Sequence, residues 1–208
     1  MKIITDEQAQ QFKDFVQSYD SFIIVGHKEP DGDCIASSLG VVAILKKMGK
    51  PYQLVSAGPF KRTEIKDYEK LFGRQATLLQ TGKKTALIIV DCGEFKRIGD
   101  IFSQDTLITD MSTLPTFFID HHKTSSPESQ TYIIEPTSPA TSYLVQQLYE
   151  KLIGPLDKET AQVLFFGLST DTGYFRFLEE NSSDIFMAAA RMVEAGVSPR
   201  TTYDIMTS

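Results

Sequence analysis

Three histidines and two cysteines are all the imidazole and thiol in this 208-residue chain. Two cysteines are too few for a disulfide framework, which excludes a small secreted scaffold and points to a reducing cytoplasm. Long hydrophobic runs are missing as well: none approaches the ~20 apolar residues needed to cross a bilayer. The opening residues Met1, Lys2, Ile3, Ile4, Thr5, Asp6 and Glu7 read as neither a signal nor a transit peptide. Positive charge is also short, 21 lysines and arginines against 27 aspartates and glutamates, for a net charge of −6. That is the wrong sign for tracking long duplex nucleic acid along a basic surface. A phosphate compound would need another attractant, and bound metal is one. The length suits one domain, or one with a small appendage, and is ample for a buried core.

The little histidine present is concentrated. His27 opens His27-Lys28-Glu29-Pro30-Asp31-Gly32-Asp33, and the other two lie in Asp120-His121-His122. Each cluster follows an apolar run. Imidazole and carboxylate at such spacing form a ligand set for a borderline divalent metal such as Mn²⁺, Zn²⁺ or Fe²⁺.

Residues 22–25, 86–90 and 117–119 are short, apolar and rich in β-branched or aromatic side chains, as buried parallel strands are. Residues 52–55 and 132–134 are weaker strands. Apolar spacing predicts a helix over 35–48, stopped by Gly49, Lys50 and Pro51. Further helices are expected over 138–152, 158–168, 182–195 and 198–206, and the charged stretch 61–67 reads as a solvated helix face. The expected fold is α/β: a doubly wound, mainly parallel sheet flanked by helices, with a helical second half.

On that scaffold His27 follows the first strong strand, Asp91 the second and Asp120 the third. Open α/β sheets bind ligands at the carboxyl ends of their strands, so these residues are expected at one edge. Asp31 and Asp33, two apart on a turning loop, would flank one point. Asp171 ends the apolar stretch 163–168. Five carboxylates in so small a volume would repel one another, and two divalent ions would remove most of that penalty. Paired ions roughly 3.5–4 Å apart polarise water for in-line displacement at phosphorus. The residues thus point to metal-assisted hydrolysis of phosphoesters or phosphoanhydrides.

His27-x-x-Pro30-Asp31-x-Asp33, Asp91 after a strand, Asp120-His121-His122, and Asp171 in Thr170-Asp171-Thr172-Gly173 resemble the four motifs of the DHH phosphoesterase superfamily, in that family's order. Residues 170–177 and Ala140-Thr141-Ser142 further resemble its branch of nanoRNA-degrading oligoribonucleases that also dephosphorylate 3′-phosphoadenosine 5′-phosphate. The resemblance implies one Mn²⁺ on His27, Asp31 and Asp91 and a second on Asp33, Asp91, His121 and Asp171, with Asp91 bridging. Mg²⁺ or another divalent ion could substitute. His122 would face the substrate phosphate, and Asp120 would orient the histidine pair.

Arg97 and Ser37 are candidate phosphate contacts, each weighed against an ordinary ion-paired or capping role. Ala36-Ser37 stands where the family usually has Gly-Ser, and the added methyl is expected to be tolerated at a helix start while crowding a phosphate on the backbone N–H groups. Cys34 and Cys92 read as small buried residues, and Arg176 as a structural arginine among aromatics. Family members generally carry a second, smaller substrate-binding domain, so 1–208 is expected to be a catalytic domain without it. The expected partner is a short oligonucleotide or nucleotide phosphate, with no membrane; a homodimer is left open. The alternatives are a family II type inorganic pyrophosphatase, a cyclic-dinucleotide phosphodiesterase, or a non-catalytic metal- or nucleotide-binding domain.

Overall fold

The computed structural model describes residues 3–77, 83–102 and 111–207; Met1 and Lys2, part of the opening stretch read above, lie outside them. The chain begins with a helix that the strand-and-helix reading missed, α1 (Asp6–Ser18). Thr5 and Gln8 close it reciprocally: the Thr5 side chain accepts from the Gln8 N–H, and the Gln8 side chain accepts from the Thr5 N–H. This is a capping box, and the pattern was there to be read. Ala9, Phe12, Phe15 and Val16 bury its apolar face, with the Phe12 ring edge-on to Phe117 at 5.1 Å.

After α1 come β1 (Ser21–Val25), α2 (Gly32–Lys47) and β2 (Tyr52–Val55). The charged stretch then forms a 3₁₀ helix, Thr63–Leu71, rather than an α-helix. Its Ile65 is wholly buried, so one side docks on the core while the charged residues stay outside. Next are β3 (Thr85–Val90), β4 (Thr116–Asp120), β5 (Thr131–Ile134), α3 (Thr141–Leu152), α4 (Lys158–Asp171), α5 (Ser183–Glu194) and α6 (Pro199–Met206).

The five strands form one parallel sheet in the order β2-β1-β3-β4-β5. β1 and β4 are buried along their whole length, which explains why they read as continuous apolar runs instead of alternating ones. Successive side chains still point to opposite faces. Phe22, Ile24, Ile88, Phe117 and Ile119 enter the larger core with α1 to α5. Ile23, Val25, Leu87, Ile89 and Phe118 face a smaller core closed by Phe95, Ile98 and Ile101. The strand order reverses between β1 and β3, and that switch point opens a crevice at the carboxyl edge. Among the described residues, no helix is long and apolar enough to cross a membrane.

Candidate metal centre

Helix α2 starts three residues earlier than apolar spacing suggested, and this changes how Asp31 and Asp33 are held. Asp31 is the N-cap, its Oδ1 accepting from the Cys34 N–H at 3.1 Å, and Asp33 sits in the first helical turn. They do not share a turning loop, as the spacing suggested, but lie at the cap and in the first turn of a helix. Asp33 is fully buried and reaches across to α3, where Oδ2 accepts from the Thr141 N–H at 2.6 Å and Oδ1 from the Ser142 N–H at 2.9 Å. The carboxylate therefore caps the N-terminus of α3, which has no side-chain cap of its own. Gly32 lets α2 approach the end of α4 closely, since a Cβ there would overlap the Thr170 side chain.

Asp91 lies at the middle of the cluster. It directly follows β3 with a positive φ of 59°, a conformation aspartate adopts more readily than most residues, while its N–H still bonds the Ile119 carbonyl at 2.9 Å. Its Oδ2 is 3.4 Å from His27 Nε2. Its Oδ1 is 3.7 Å from His121 Nε2 and accepts a hydrogen bond from the Thr141 hydroxyl at 2.9 Å. One buried carboxylate thus faces both histidines. His27 Nε2 is also 3.8 Å from Asp31 Oδ1, and His121 Nε2 is 3.2 Å from Asp171 Oδ2 and 3.9 Å from Asp33 Oδ2.

The tautomers decide what the cluster is suited to hold. His27 Nδ1 lies 2.9 Å from the Lys28 carbonyl and His121 Nδ1 lies 3.2 Å from the Ser138 carbonyl. Each carbonyl fixes the proton on Nδ1 of the neutral ring, leaving Nε2 as a lone pair aimed at carboxylates. His121 Nε2 is buried and makes no hydrogen bond. Lone pairs facing carboxylates need positive charge between them, either a proton or a metal ion. Without a metal, protons fill that role. Burial and the charges of Asp91 and Asp171 push Asp33 well above the usual carboxylate range, and burial raises Asp91. Burial works against the His121 cation, yet Asp171 beside it and the charges of Asp33 and Asp91 hold it up at about 10. Burial likewise opposes ionisation of Asp31, but the His27 ring beside it and the hydrogen bond from the Cys34 N–H take it down to about 2. Three overlapping donor groups result: His27, Cys34 and Asp91; Asp91, His121 and His122; Asp33, His121 and Asp171. Nitrogen, carboxylate oxygen and one sulfur make a donor set that fits divalent cations.

Asp120 and His122 form a pair at the edge of this cluster, His122 Nδ1 lying 3.8 Å from Asp91 Oδ1. The Asp120 Oδ1 accepts from the His122 ring at 2.7 Å and from the His121 N–H at 2.8 Å, and the Ser125 hydroxyl donates to Oδ2. The Asp120 hydrogen bond raises the His122 pKa, and His122 retains 36 % side-chain exposure. It opens on a cavity of about 340 Å³ lined also by Gly93, Glu94, Arg97, Thr124 and Ser125. Arg97 is therefore on the open side of the site.

Ser37 is not. Its hydroxyl is fully buried and donates to the Asp33 and Cys34 carbonyls at 2.7 and 3.2 Å, so it satisfies α2 instead of reaching a phosphate. The Ala36 methyl packs beside Gly167 of α4. Arg176 lies over the Phe177 ring, 4.6 Å from its centroid. Cys34, read as a small buried residue, joins a donor group, and Ser125 and Thr141 were also outside the candidate list. Ser125 carried no sequence signal; Thr141 did, within Ala140-Thr141-Ser142, but its contact with Asp91 spans 50 positions.

Residues 21–168 match the DHH family, N-terminal domain. The chain belongs to the DHH family. Over 84 % of its length this DHH chain is 30 % identical to the bifunctional oligoribonuclease and PAP phosphatase NrnA of Thermus thermophilus, of which it covers 50 %. It is 29 % identical to a probable manganese-dependent inorganic pyrophosphatase of Streptococcus mutans, covering 84 % of this chain and 56 % of that one. The chain thus spans about half the length of these curated relatives. An exopolyphosphatase-related protein from Bacteroides fragilis superposes with a TM-score of 0.81 at 24 % identity, over 99 % of this chain and 62 % of that chain, a likeness of fold.

Proposed function

We propose that the protein is a cytoplasmic metal-dependent phosphoesterase that hydrolyses phosphodiester or phosphomonoester bonds of short oligonucleotides or nucleotide phosphates. The observation that carries this reading is the pair of histidines whose Nε2 atoms face one buried carboxylate, Asp91. His27, Asp31 and Asp91 would hold one Mn²⁺, and Asp33, Asp91, His121 and Asp171 a second. When bound, the ions supply positive charge that acidifies water and polarises a phosphoryl oxygen. The residues around them do the rest. Thr141 and the N-terminus of α3 fix Asp91 and Asp33, so the ligands need little rearrangement. Asp120 holds the His122 ring through Nδ1 and favours its protonated form, which leaves Nε2–H free to donate to the departing oxygen. Arg97, on the same cavity, would steady the phosphate. Residues 1–208 would supply the metal centre.

The relatives include a pyrophosphatase and a cyclic-di-AMP phosphodiesterase of Listeria monocytogenes, 26 % identical over 90 % of this chain and 30 % of that one. Pyrophosphate and cyclic dinucleotides therefore belong in the test. Hydrolysis of short oligoribonucleotides, 3′-phosphoadenosine 5′-phosphate, pyrophosphate and a cyclic dinucleotide should be measured with Mn²⁺ and after chelation. Mn²⁺-dependent turnover of the first two is the expected result. Turnover that survives thorough chelation overturns the metal mechanism, and a preference for pyrophosphate replaces the substrate class.

A further inference from the structure

We propose that the Cys34 sulfur is itself a ligand of the cation between His27 and Asp91, making that position a mixed nitrogen, oxygen and sulfur site. This deepens the metal-centre reading and rests on it. Ligand atoms of Cys34, His27 and Asp91 all lie within 4.8 Å of one another. One ion with bonds of about 2.0–2.3 Å holds its donors somewhat closer than this bound, so the three atoms need draw in by no more than about 1 Å to share it. Among the described residues the sulfur makes one hydrogen bond, a weak one to the His27 carbonyl at 4.0 Å. It is also shielded from water, Cys34 being 2 % exposed.

The position of the sulfur is set by the backbone. Asp31 caps α2 through the Cys34 N–H, which fixes this residue in the first turn. Gly26, between β1 and His27, leaves the space that the sulfur fills, because a Cβ there would collide with it; the Val90 carbonyl, just before Asp91, borders the same space. The thiol thus sits at the strand-order switch, where β1 and β3 deliver His27 and Asp91. Cys92 provides the contrast. It is equally buried but belongs to the smaller apolar core with Phe95 and Phe118, and to no donor group among the described residues.

A thiolate is a softer donor than a carboxylate, so this position should prefer Zn²⁺, Co²⁺ or Cd²⁺ over Mn²⁺. The thiol proton leaves to solvent as the sulfur binds, one per ion. The group formed by Asp33, His121 and Asp171 offers only nitrogen and oxygen. The two positions would therefore differ in softness and select different ions from a mixture.

Cobalt spectroscopy on the whole chain tests this independently of turnover. After chelation and addition of Co²⁺, the wild type should show visible d–d bands and a near-ultraviolet sulfur-to-cobalt charge-transfer band. The latter should persist in Cys92→Ala and vanish in Cys34→Ala and Cys34→Ser while the d–d bands remain. A wild type with d–d bands alone, or a charge-transfer band that survives Cys34→Ala, overturns the sulfur ligand but leaves the metal centre standing. Failure to take up cobalt at all sinks both. X-ray absorption on the unmutated, zinc-loaded chain needs no variant to fold: a sulfur shell at about 2.3 Å is expected. A spectrum fitted by nitrogen and oxygen alone is the contrary result.

Discussion

On one face of the sheet, five α-helices close a core that runs from Ile4 to Val197; on the other, Phe95, Ile98, Ile101 and Ala76 close a smaller one from 3₁₀ turns and connecting segments. The centre at the carboxyl edge draws on both. Asp33, Thr141 and Asp171 come from α2, α3 and α4, the thickly packed side, whereas Arg97, His122 and Ser125 come from short connections after β3 and β4. The difference suggests a division of labour. Of the proposed cation ligands, Asp33 and Asp171 are held in helices, and the proposed substrate contacts His122 and Arg97 stand beside an open cavity. Substitutions on the two sides should therefore fail differently.

Asp91 belongs to neither side and touches both, so its loss should have the largest effect. Asp91→Ala should lower hydrolysis by more than about a thousandfold, since it removes the carboxylate facing both histidines. Metal content by elemental analysis should fall with it. Asp91→Asn separates the metal role from a folding role. It keeps the shape and an acceptor for Thr141 but removes one of the buried like charges at Asp33 and Asp91. The metal-free variant should melt no lower than the metal-free wild type and gain less from added Mn²⁺, which stabilises by binding the folded state. A metal-free variant that melts well below wild type would mean that the carboxylate serves the fold first.

His122 probes the open side alone. His122→Gln should cut kcat by about 10²–10⁴, the usual contribution of a positioned acid or base, with metal stoichiometry unchanged. Simultaneous loss of metal would erase the proposed division. Arg97→Ala should be milder, with KM raised by about tenfold, as expected for one charge-assisted phosphate contact of roughly 1.5 kcal/mol. A change in kcat alone would move Arg97 from binding to chemistry.

The same contrast explains what could be read in advance. Buried strands announced themselves as apolar runs, and the segments after β1, β3 and β4 carried chemistry-bearing residues to one edge because parallel strands share a direction. The start of α2 was harder: Gly32 and Asp33 are poor helix formers, and the Asp31 cap, the fit against Thr170 and the Asp33 bonds to α3 are tertiary or capping features that apolar spacing does not show. Thr141 and Ser125 act through single hydroxyls on distant or irregular segments, and hydroxyl residues are too common for spacing to single them out. The 3₁₀ helix over Thr63–Leu71 depends on docking Ile65, a tertiary contact that local charge patterning conceals.

Ser37 gives the smallest and most discriminating test, because it lies three residues from Cys34 yet wholly inside the packed side. Its hydroxyl donates only to carbonyls of its own helix, which remain bonded within α2 when it is removed. Ser37→Ala leaves no charged or unpaired group behind and replaces serine with a better helix former. Net stability should change by no more than about 1 kcal/mol in either direction, the scale of one intramolecular hydrogen bond. KM and metal content should stay at wild-type values. A clear rise in KM without loss of stability would show that the first turn of α2 opens to admit substrate, and the packed side would then no longer be the static half of the centre.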